Sequence, residues 1–277
     1  EDEPFALDGL QRFILQRELL DAGQHAALDA DISQVLEQHS EKLQRSGALP
    51  MGAFAEQLRT ALIEPLLEQL NNYRRYCHLW PHAEPARIID IKNGQVHLEG
   101  WLGGLFSAAP DNPQSSEYAR IELLPGKILT GREWRWHRLL RPWLQHVLVN
   151  ATGSATQTLI FAQGSSIAFA SLEQEQAVKI TTDWLGAWQH GLNAPLPVAI
   201  KTAMSFLKDA SDSKAKAVYE GGFNNIGEVQ SSAALARQFA NYAALTADGD
   251  FSYWAQQLYA CLFNAEIINL DRQGEAK

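Results

Sequence analysis

Between Phe54 and Leu70 apolar residues recur at every fourth position, at Phe54, Leu58, Leu62, Leu66 and Leu70, and beyond Pro81 alternation replaces that spacing. A four-residue recurrence lays side chains along one stripe of a helix, whereas alternation lays them on one face of a strand. The switch divides the chain into a helical segment, residues 1–80, and an α/β segment, residues 81–277, that ends in helices; the two together are expected to form a single domain. In the first segment Asp8 is placed to cap a helix and Gln11 to complete a capping box, with Leu10, Phe13, Ile14 and Leu20 as its apolar stripe. A polar second helix carries Leu28, Ile32, Val35, Leu36 and Leu43. Glycines and a proline between Ser46 and Phe54 punctuate the chain before a third helix, which Pro65 is expected to kink. Arg74, Arg75 and His78 fall near its end, where positive charge suits the helix dipole.

Past Pro81, Arg87 to Ile91 forms a strand, Asn93-Gly94 a hairpin turn and Gln95 to Leu102 the returning strand. A turn-rich stretch, Ala109 to Pro113, leads to a third strand from Tyr118 to Leu124. A long amphipathic helix is expected from about Gly131 to Asn150, then a hairpin around Gly164 and a helix from Glu173 to His190. The remainder is helical, interrupted at Gly221-Gly222 and closing with an apolar helix from Phe251 to Asn264. Strands and helices in this order indicate an α/β core sheet with flanking helices.

The net charge of −9 and pI near 5.4 argue against a free-standing nonspecific DNA binder, while leaving room for a local basic strip. Cys77 and Cys261 lack the paired spacing of a zinc site or a disulfide framework and read as free thiols of a cytoplasmic protein. No apolar run approaches the roughly 20 residues that span a bilayer, and the acidic N-terminus is not a signal peptide. A first residue of Glu1 suggests a domain cut from a longer protein. Neither a phosphate-binding loop nor a His-Glu-x-x-His pair occurs, and Gly153-Ser154 and Gly164-Ser165-Ser166 are turn serines without a nucleophile elbow.

Gly131 to Trp143 is the segment whose chemistry suits nucleic acid. On a helical wheel Trp136, Leu139, Leu140, Trp143 and Val147 share a face, and Arg135, Arg138 and Arg141 gather opposite with Trp134; Arg132 precedes them. Arginine forks pair with phosphates and an exposed tryptophan stacks on a base or fills a partner's pocket. A solvated charged face, a protein interface and a DNA contact all remain open for these residues, and a helix restart at Pro142 would redraw the wheel. Lys208, Lys214 and Lys216 are interleaved with Asp209 and Asp212, which reads as a mixed-charge surface.

Several runs carry a resemblance: Glu3 to Phe13, Gly47 to Phe54, Gly100-Trp101-Leu102, Trp143 to His146, Ala194-Pro195-Leu196 and Tyr219-Glu220-Gly221. In this order, and spread over nearly the whole chain, they resemble the RecC C-terminal domain family, from the gamma subunit of exodeoxyribonuclease V. The resemblance implies a restriction-endonuclease-like, PD-(D/E)XK-type core. It also implies a setting: a complex with RecB and RecD subunits that loads on double-stranded DNA ends, unwinds them and guides the forked, single-stranded products. In that setting Mg²⁺ and ATP serve the other subunits, and this domain needs no cofactor and meets no membrane.

An active nuclease of that fold holds Mg²⁺ with a carboxylate on one strand and a second carboxylate, followed by a lysine, on the next. By the resemblance Gly103 stands where the first ligand belongs, Glu122 offers the one remaining carboxylate, and Leu124 occupies the lysine position, with Lys127 displaced beyond Pro125-Gly126. The expectation is a degenerate, non-catalytic nuclease-like domain with no metal site, acting as scaffold and strand guide. An active nuclease with other ligands and a pure protein-interaction module are the alternatives. Glu122 reads as a solvent-facing strand residue, and Asp90, His97 and Glu99 as the polar faces of their strands.

Overall fold

The computed structural model describes residues 7–49, 53–108, 117–223 and 225–271. Three helices open the chain: α1 (Gly9–His25), α2 (Ile32–Arg45) and α3 (Ala53–Cys77). The capping box at Asp8 and Gln11 is present, with Asp8 Oδ1 accepting from Gln11 N at 2.7 Å and Gln11 Oε1 accepting from Asp8 N at 3.0 Å. The buried face of α1 differs from the expected stripe. Leu15, Leu19, Leu20 and Gly23 face inward, whereas Leu10, Phe13 and Ile14 are 67, 38 and 50 % exposed. The reason lies at Gly23, where a Cβ would sit 2.5 Å from Leu70 Cδ1; α1 approaches α3 along the row through Leu15, Leu19 and Gly23, which turns Leu10 and Ile14 outward. Leu28 stays outside, in the connection before Asp31 caps α2. Pro65 is accommodated within α3, whose helix runs on to Cys77. Arg74 is buried and donates to the carbonyls of Ala30 and Ala27 at 2.6 and 2.5 Å, so it ties the α1–α2 connection down rather than compensating a helix end.

Next come β1 (His82–Glu84), β2 (Arg87–Asn93), β3 (Val96–Leu102), β4 (Leu105–Ser107), β5 (Tyr118–Leu124), β6 (Leu129–Thr130) and β7 (Glu133–Trp134). They are followed by α4 (Trp136–Ala151), β8 (Thr156–Ala162), β9 (Ser165–Phe169), α5 (Gln174–Asn193), α6 (Ile200–Asp209) and α7 (Asp212–Glu220). The chain ends with β10 (Gly221–Gly222), β11 (Asn225–Ile226), α8 (Ala233–Gln238), α9 (Tyr242–Leu245), α10 (Phe251–Phe263) and β12 (Ile267–Asn269). The turn-rich run expected from Ala109 to Pro113 lies outside the described residues.

A six-stranded mixed sheet of order β1-β4-β5-β8-β9-β12 forms the centre, with β5 and β8 parallel and every other neighbouring pair antiparallel. A parallel pair needs a crossover, and α4 lies within it. All seven residues of β8 are buried, as a strand covered on both faces should be. Leu159 and Phe161 pack with Tyr73, Tyr76 and Trp80 of α3 and its continuation. Ile160 and Ala162 point the other way, to Leu139, Trp143 and Val147 of α4, Ala177 of α5, Met204 of α6 and Leu262 of α10. Three layers result, helix–sheet–helix, with a second helical cluster built by Tyr219, Tyr242, Leu245 and Phe251.

The expected first hairpin exists, but apart from the central sheet: β2 and β3 pair only with each other. Its inner face is tied down by Arg87, bonded to Thr156 Oγ1 at 3.1 Å and lying over the Tyr118 ring at 4.7 Å, and by Asn93, which donates to Thr182 O at 3.1 Å. His97 and Glu99 do face outward, and His97 meets Asp90 across the strands at 2.8 Å. Ile88 and Trp101, directly opposite in the register, share that outer face at 76 and 79 % exposure.

The long helix begins at Trp136, not Gly131. Gly131, at φ +62°, turns the chain between β6 and β7, a two-residue hairpin loop that holds Arg132 and leaves Glu133 and Trp134 extended. Pro142 is buried within an unbroken α4. No helix among the described residues is long and apolar enough to cross a membrane.

Candidate functional site

The pairing of β4 with β5 brings the expected nuclease positions near one another. Leu105 pairs with Arg120, and Ile121 N donates to Gly104 O at 3.3 Å; regular pairing goes no further, because Gly104, at φ +75°, departs from extended geometry directly after Gly103. Residues opposite each other across antiparallel strands share a face, and so do alternate residues along one strand. Arg120, Glu122 and Leu124 therefore occupy the α4-facing side of β5, towards its carboxyl end. Gly103 is exposed in the link between β3 and β4, two strands that belong to different sheets. A Cβ at Gly103 would meet nothing within 4 Å, so a larger side chain would fit there. Leu124 packs against the α4-side core, and Lys127 lies exposed beyond the strand.

Glu122 is not the solvent-facing residue that strand alternation suggested. Its side chain is 15 % exposed and meets Arg120 Nη1 at 2.6 Å, with Arg120 itself 10 % exposed. Both are on the covered α4-facing side, so alternation places Glu122 inward. His146, fully buried on α4, bonds Thr158 Oγ1 at 2.9 Å and lies near enough to Arg120 to feel its charge. Burial, with Arg120 adding to it, pushes the His146 imidazole down to about 3, so the ring is neutral.

Above this pair lies a cavity of about 250 Å³, which no sequence pattern announced. Its walls include Glu122 and Pro125 from the end of β5, Arg138 and Arg141 from α4, and Arg17 and Phe13 from α1. Arg138 Nη2 donates to Pro125 O, and its guanidinium lies over Gly126, where a Cβ would stand 3.1 Å from Nη1. Burial lowers the Arg138 pKa from its ordinary value, and repulsion from Arg135 adds to that. Charge patterning on the Gly131–Trp143 segment pointed toward this site but missed Arg17, because its contribution comes from a helix more than 100 residues earlier in the chain.

The remaining members of the basic, aromatic segment part company from these two. Arg135 flanks the N-terminus of α4 and donates to Thr130 Oγ1 at 3.0 Å, and Arg132 is exposed in the β6–β7 turn. Trp134 is half-buried, not exposed: its ring lies 6.2 Å from Trp136, which in turn meets Phe263 at 5.8 Å. Since residues 131–135 form a turn and a short strand rather than a helix, the wheel does not apply to Trp134, which lands beside Trp136 instead of across from it. Trp134, His137 and Lys201 line a second cavity of about 300 Å³. There burial, with Lys201, Arg138 and Arg135 adding to it, lowers the His137 pKa below its usual value, against a smaller opposing pull from Glu228. Lys208 pairs with Glu133 at 2.7 Å and Lys214 with Asp209 at 3.0 Å, the mixed-charge surface expected from their spacing. Among the described residues no group of three or more His, Cys, Asp or Glu side chains could hold a metal ion.

A family model described as the RecC C-terminal domain matches residues 1–211 of the chain. The RecBCD enzyme subunit RecC of Escherichia coli (strain K12) is 23 % identical over 221 residues, which cover 79 % of this chain and 17 % of that protein. The chain thus spans well under a fifth of the length of the curated relative it matches.

Proposed function

The chain belongs to the RecC C-terminal domain family, and from that premise we propose that it is a non-catalytic scaffold and strand-guiding domain within a RecBCD-type complex that processes DNA ends. Its core is read as a nuclease-like sheet whose chemistry has been lost. The observation that carries this reading is that Glu122 and Leu124 share one face at the carboxyl end of β5, with Gly103 in the link that leads into the neighbouring β4. A working site of this type needs two carboxylates and an amine around a divalent ion, which would activate a water and neutralise phosphate charge. Here the first position is a hydrogen, the third is an isobutyl group, and the remaining acid is engaged by Arg120. Support for the fold comes from the helix–sheet–helix layering, with an antiparallel β4–β5 hairpin, a crossover containing α4 and a parallel β8.

The partners in this reading are RecB and RecD subunits and a forked DNA end, and Mg²⁺ and ATP belong to those other subunits. The Ile88–Trp101 pair on the outer face of β2 and β3 favours a protein-facing surface within the same role, because interface centres are enriched in large aromatic anchors. The test is incubation of the purified chain with linear and circular DNA in Mg²⁺ or Mn²⁺. No cleavage is the expected outcome. Metal-dependent cleavage that Glu122→Gln abolishes would refute the non-catalytic reading. A pure interaction module predicts, in the complex assembled with its partner subunits, unchanged crosslinking to a forked duplex when Arg135, Arg138 and Arg141 become Ala; the strand-guiding reading predicts a loss.

A further inference from the structure

We propose that the cavity at the carboxyl end of β5 is a phosphodiester-binding site for single-stranded DNA, in which the guanidiniums of Arg17, Arg138 and Arg141 do the charge neutralisation that a metal ion does in a nuclease. The inference rests on the strand-guiding reading and adds to it the place, the residues and the chemical group recognised.

Three observations carry it. Arg17, Arg138 and Arg141 come from two helices more than 100 residues apart in sequence yet line one cavity of about 250 Å³. None of the three forms an ion pair among the described residues, whereas Arg59, Arg120, Lys208, Lys214 and Lys216 each do. Arg138 is anchored by the neutral carbonyl of Pro125, which fixes its direction without cancelling its charge. The second observation concerns the acids. Glu122 is already paired beneath the cavity with Arg120, so four guanidiniums stand against the two carboxylates of Glu122 and Asp21. Arg138 is half-buried while Arg17 and Arg141 are exposed, so water screens part of this excess positive charge, and an anion that reaches all three guanidiniums is attracted by it. A phosphate oxygen pair matches the planar guanidinium fork better than a halide or a monodentate ligand.

The third observation selects the source of the phosphate. Phe13 is on the cavity wall and 38 % exposed, with Leu10 and Ile14 open beside it on the same helix. Aromatic faces set next to arginines are the pattern that takes a base and its backbone phosphate together, and single strands expose both. A free phosphate ion would use the arginines and leave Phe13 idle.

The test is side-chain NMR of the full chain, following the arginine Nε–H resonances during titration to millimolar concentrations with a short oligothymidylate. Parallel titrations use the same oligomer with a methylphosphonate backbone and orthophosphate alone. Signals are assigned by Arg17→Lys, Arg138→Lys and Arg141→Lys, and Arg237, on a distant helix, is the reference. Saturable shifts of Arg17, Arg138 and Arg141 with the phosphodiester oligomer and none with its neutral analogue are expected. Arg17→Ala and Arg141→Ala should each weaken binding by about tenfold, equally for thymidylate and adenylate, as loss of one phosphate contact does. Phe13→Ala should weaken it further, and Glu122→Gln should tighten it, a gain that a damaged fold does not give. Three results overturn the proposal: shifts absent or uniform over all arginines including Arg237, shifts surviving with the methylphosphonate, or saturation by orthophosphate at concentrations as low as the oligomer requires. None of these bears on whether the chain cleaves DNA, so the nuclease assay above and this titration fail independently.

Discussion

Removing the Glu122 carboxylate should destabilise the protein far more than its place at a strand end suggests. The carboxylate accepts from Arg120 at 2.6 Å, and the two side chains are only 15 and 10 % exposed. Among the described residues Arg120 Nε is buried with no hydrogen-bond partner, and the only side-chain partner of that guanidinium is Glu122. In Glu122→Ala a buried cation loses its counter-charge. Breaking a buried pair from one side costs about 3–5 kcal/mol, and the residual solvent contact here argues for the lower end, about 3 kcal/mol. At the usual scaling for a chain of this size that is a fall of roughly 6–12 °C in Tm. Glu122→Gln keeps the shape and an acceptor oxygen and should cost about half as much. The decisive comparison is the double variant Arg120→Met with Glu122→Leu, because replacing both partners with apolar groups removes the desolvation cost along with the attraction. Its stability in urea should return to within about 1 kcal/mol of the parent. If Glu122→Ala melts with the parent, or if the double variant is as unstable as the two single variants added together, the buried-pair argument is wrong. The measurement also protects the nuclease assay, since any loss of activity in Glu122→Gln must be separated from loss of fold.

Further expectations concern the supports around this site. Glu228 is buried and accepts from Lys201 N at 3.0 Å and from Thr202 N and Oγ1 at 2.8 Å, so it caps α6, which has no capping side chain of its own. Glu228→Ala should cost about 3 kcal/mol in urea unfolding, a lost cap plus buried donors left unpaired, and a cost under about 1 kcal/mol would contradict that role. His146 is neutral in the fold, its imidazole pushed to about 3 against an ordinary 6.5 in the unfolded chain. A depressed folded value means stability is intact above pH 6.5 and is lost as pH falls from there toward 3, at up to about 1.4 kcal/mol per pH unit. His146→Gln should flatten that limb of the stability–pH curve; an unchanged slope would show that another group sets it. Gly221 sits at φ +75°, and a Cβ there would stand 2.4 Å from Gly227 N, so Gly221→Ala should cost at least about 2 kcal/mol, and an unchanged Tm would refute the backbone contact.

The elements that periodicity marked are present because their signals are local. The four-residue recurrence at Leu58, Leu62, Leu66 and Leu70, the Asn93-Gly94 turn and the apolar run Leu159 to Ala162 in β8 all concern residues a few positions apart. What periodicity did not supply is pairing. Nothing in Arg87 to Leu102 tells that β2 and β3 stand apart from the main sheet, or that His82–Glu84, Leu105–Ser107 and Ile267–Asn269 complete it, since three-residue strands have no period to detect. The face of α1 was misjudged for the same reason. Leu10, Phe13 and Ile14 form a credible stripe, but the contact row was decided by Gly23 against Leu70, forty-seven residues away. At Gly131 the error was one of local chemistry: a positive-φ glycine makes a turn, and the helical wheel drawn through it moved Trp134 to the wrong side. Arg138 and Arg141 were marked by composition alone; that Arg17 joins them, and that Glu122 lies beneath, required the three-dimensional structure.

The acidity of the chain and the basic cavity are compatible once the distribution of charge is considered. A net charge of −9 lowers the long-range attraction of any DNA strand and makes nonspecific capture weak. Short-range pairing with three uncompensated guanidiniums in a partly enclosed space is screened far less than that surface field. In the proposed role, a domain with this balance would not gather DNA from solution but would hold a strand already delivered to it and release it readily when the next phosphate arrives. Weak, sequence-blind, short-range contact is the behaviour required of a channel wall. The same balance makes a clear demand on experiment: oligothymidylate binding by the isolated chain should fall as salt rises with a log–log slope of about −2, three phosphates at roughly 0.7 each. A slope near zero would mean that phosphate neutralisation is not what holds the strand, and the arginines would then need another explanation.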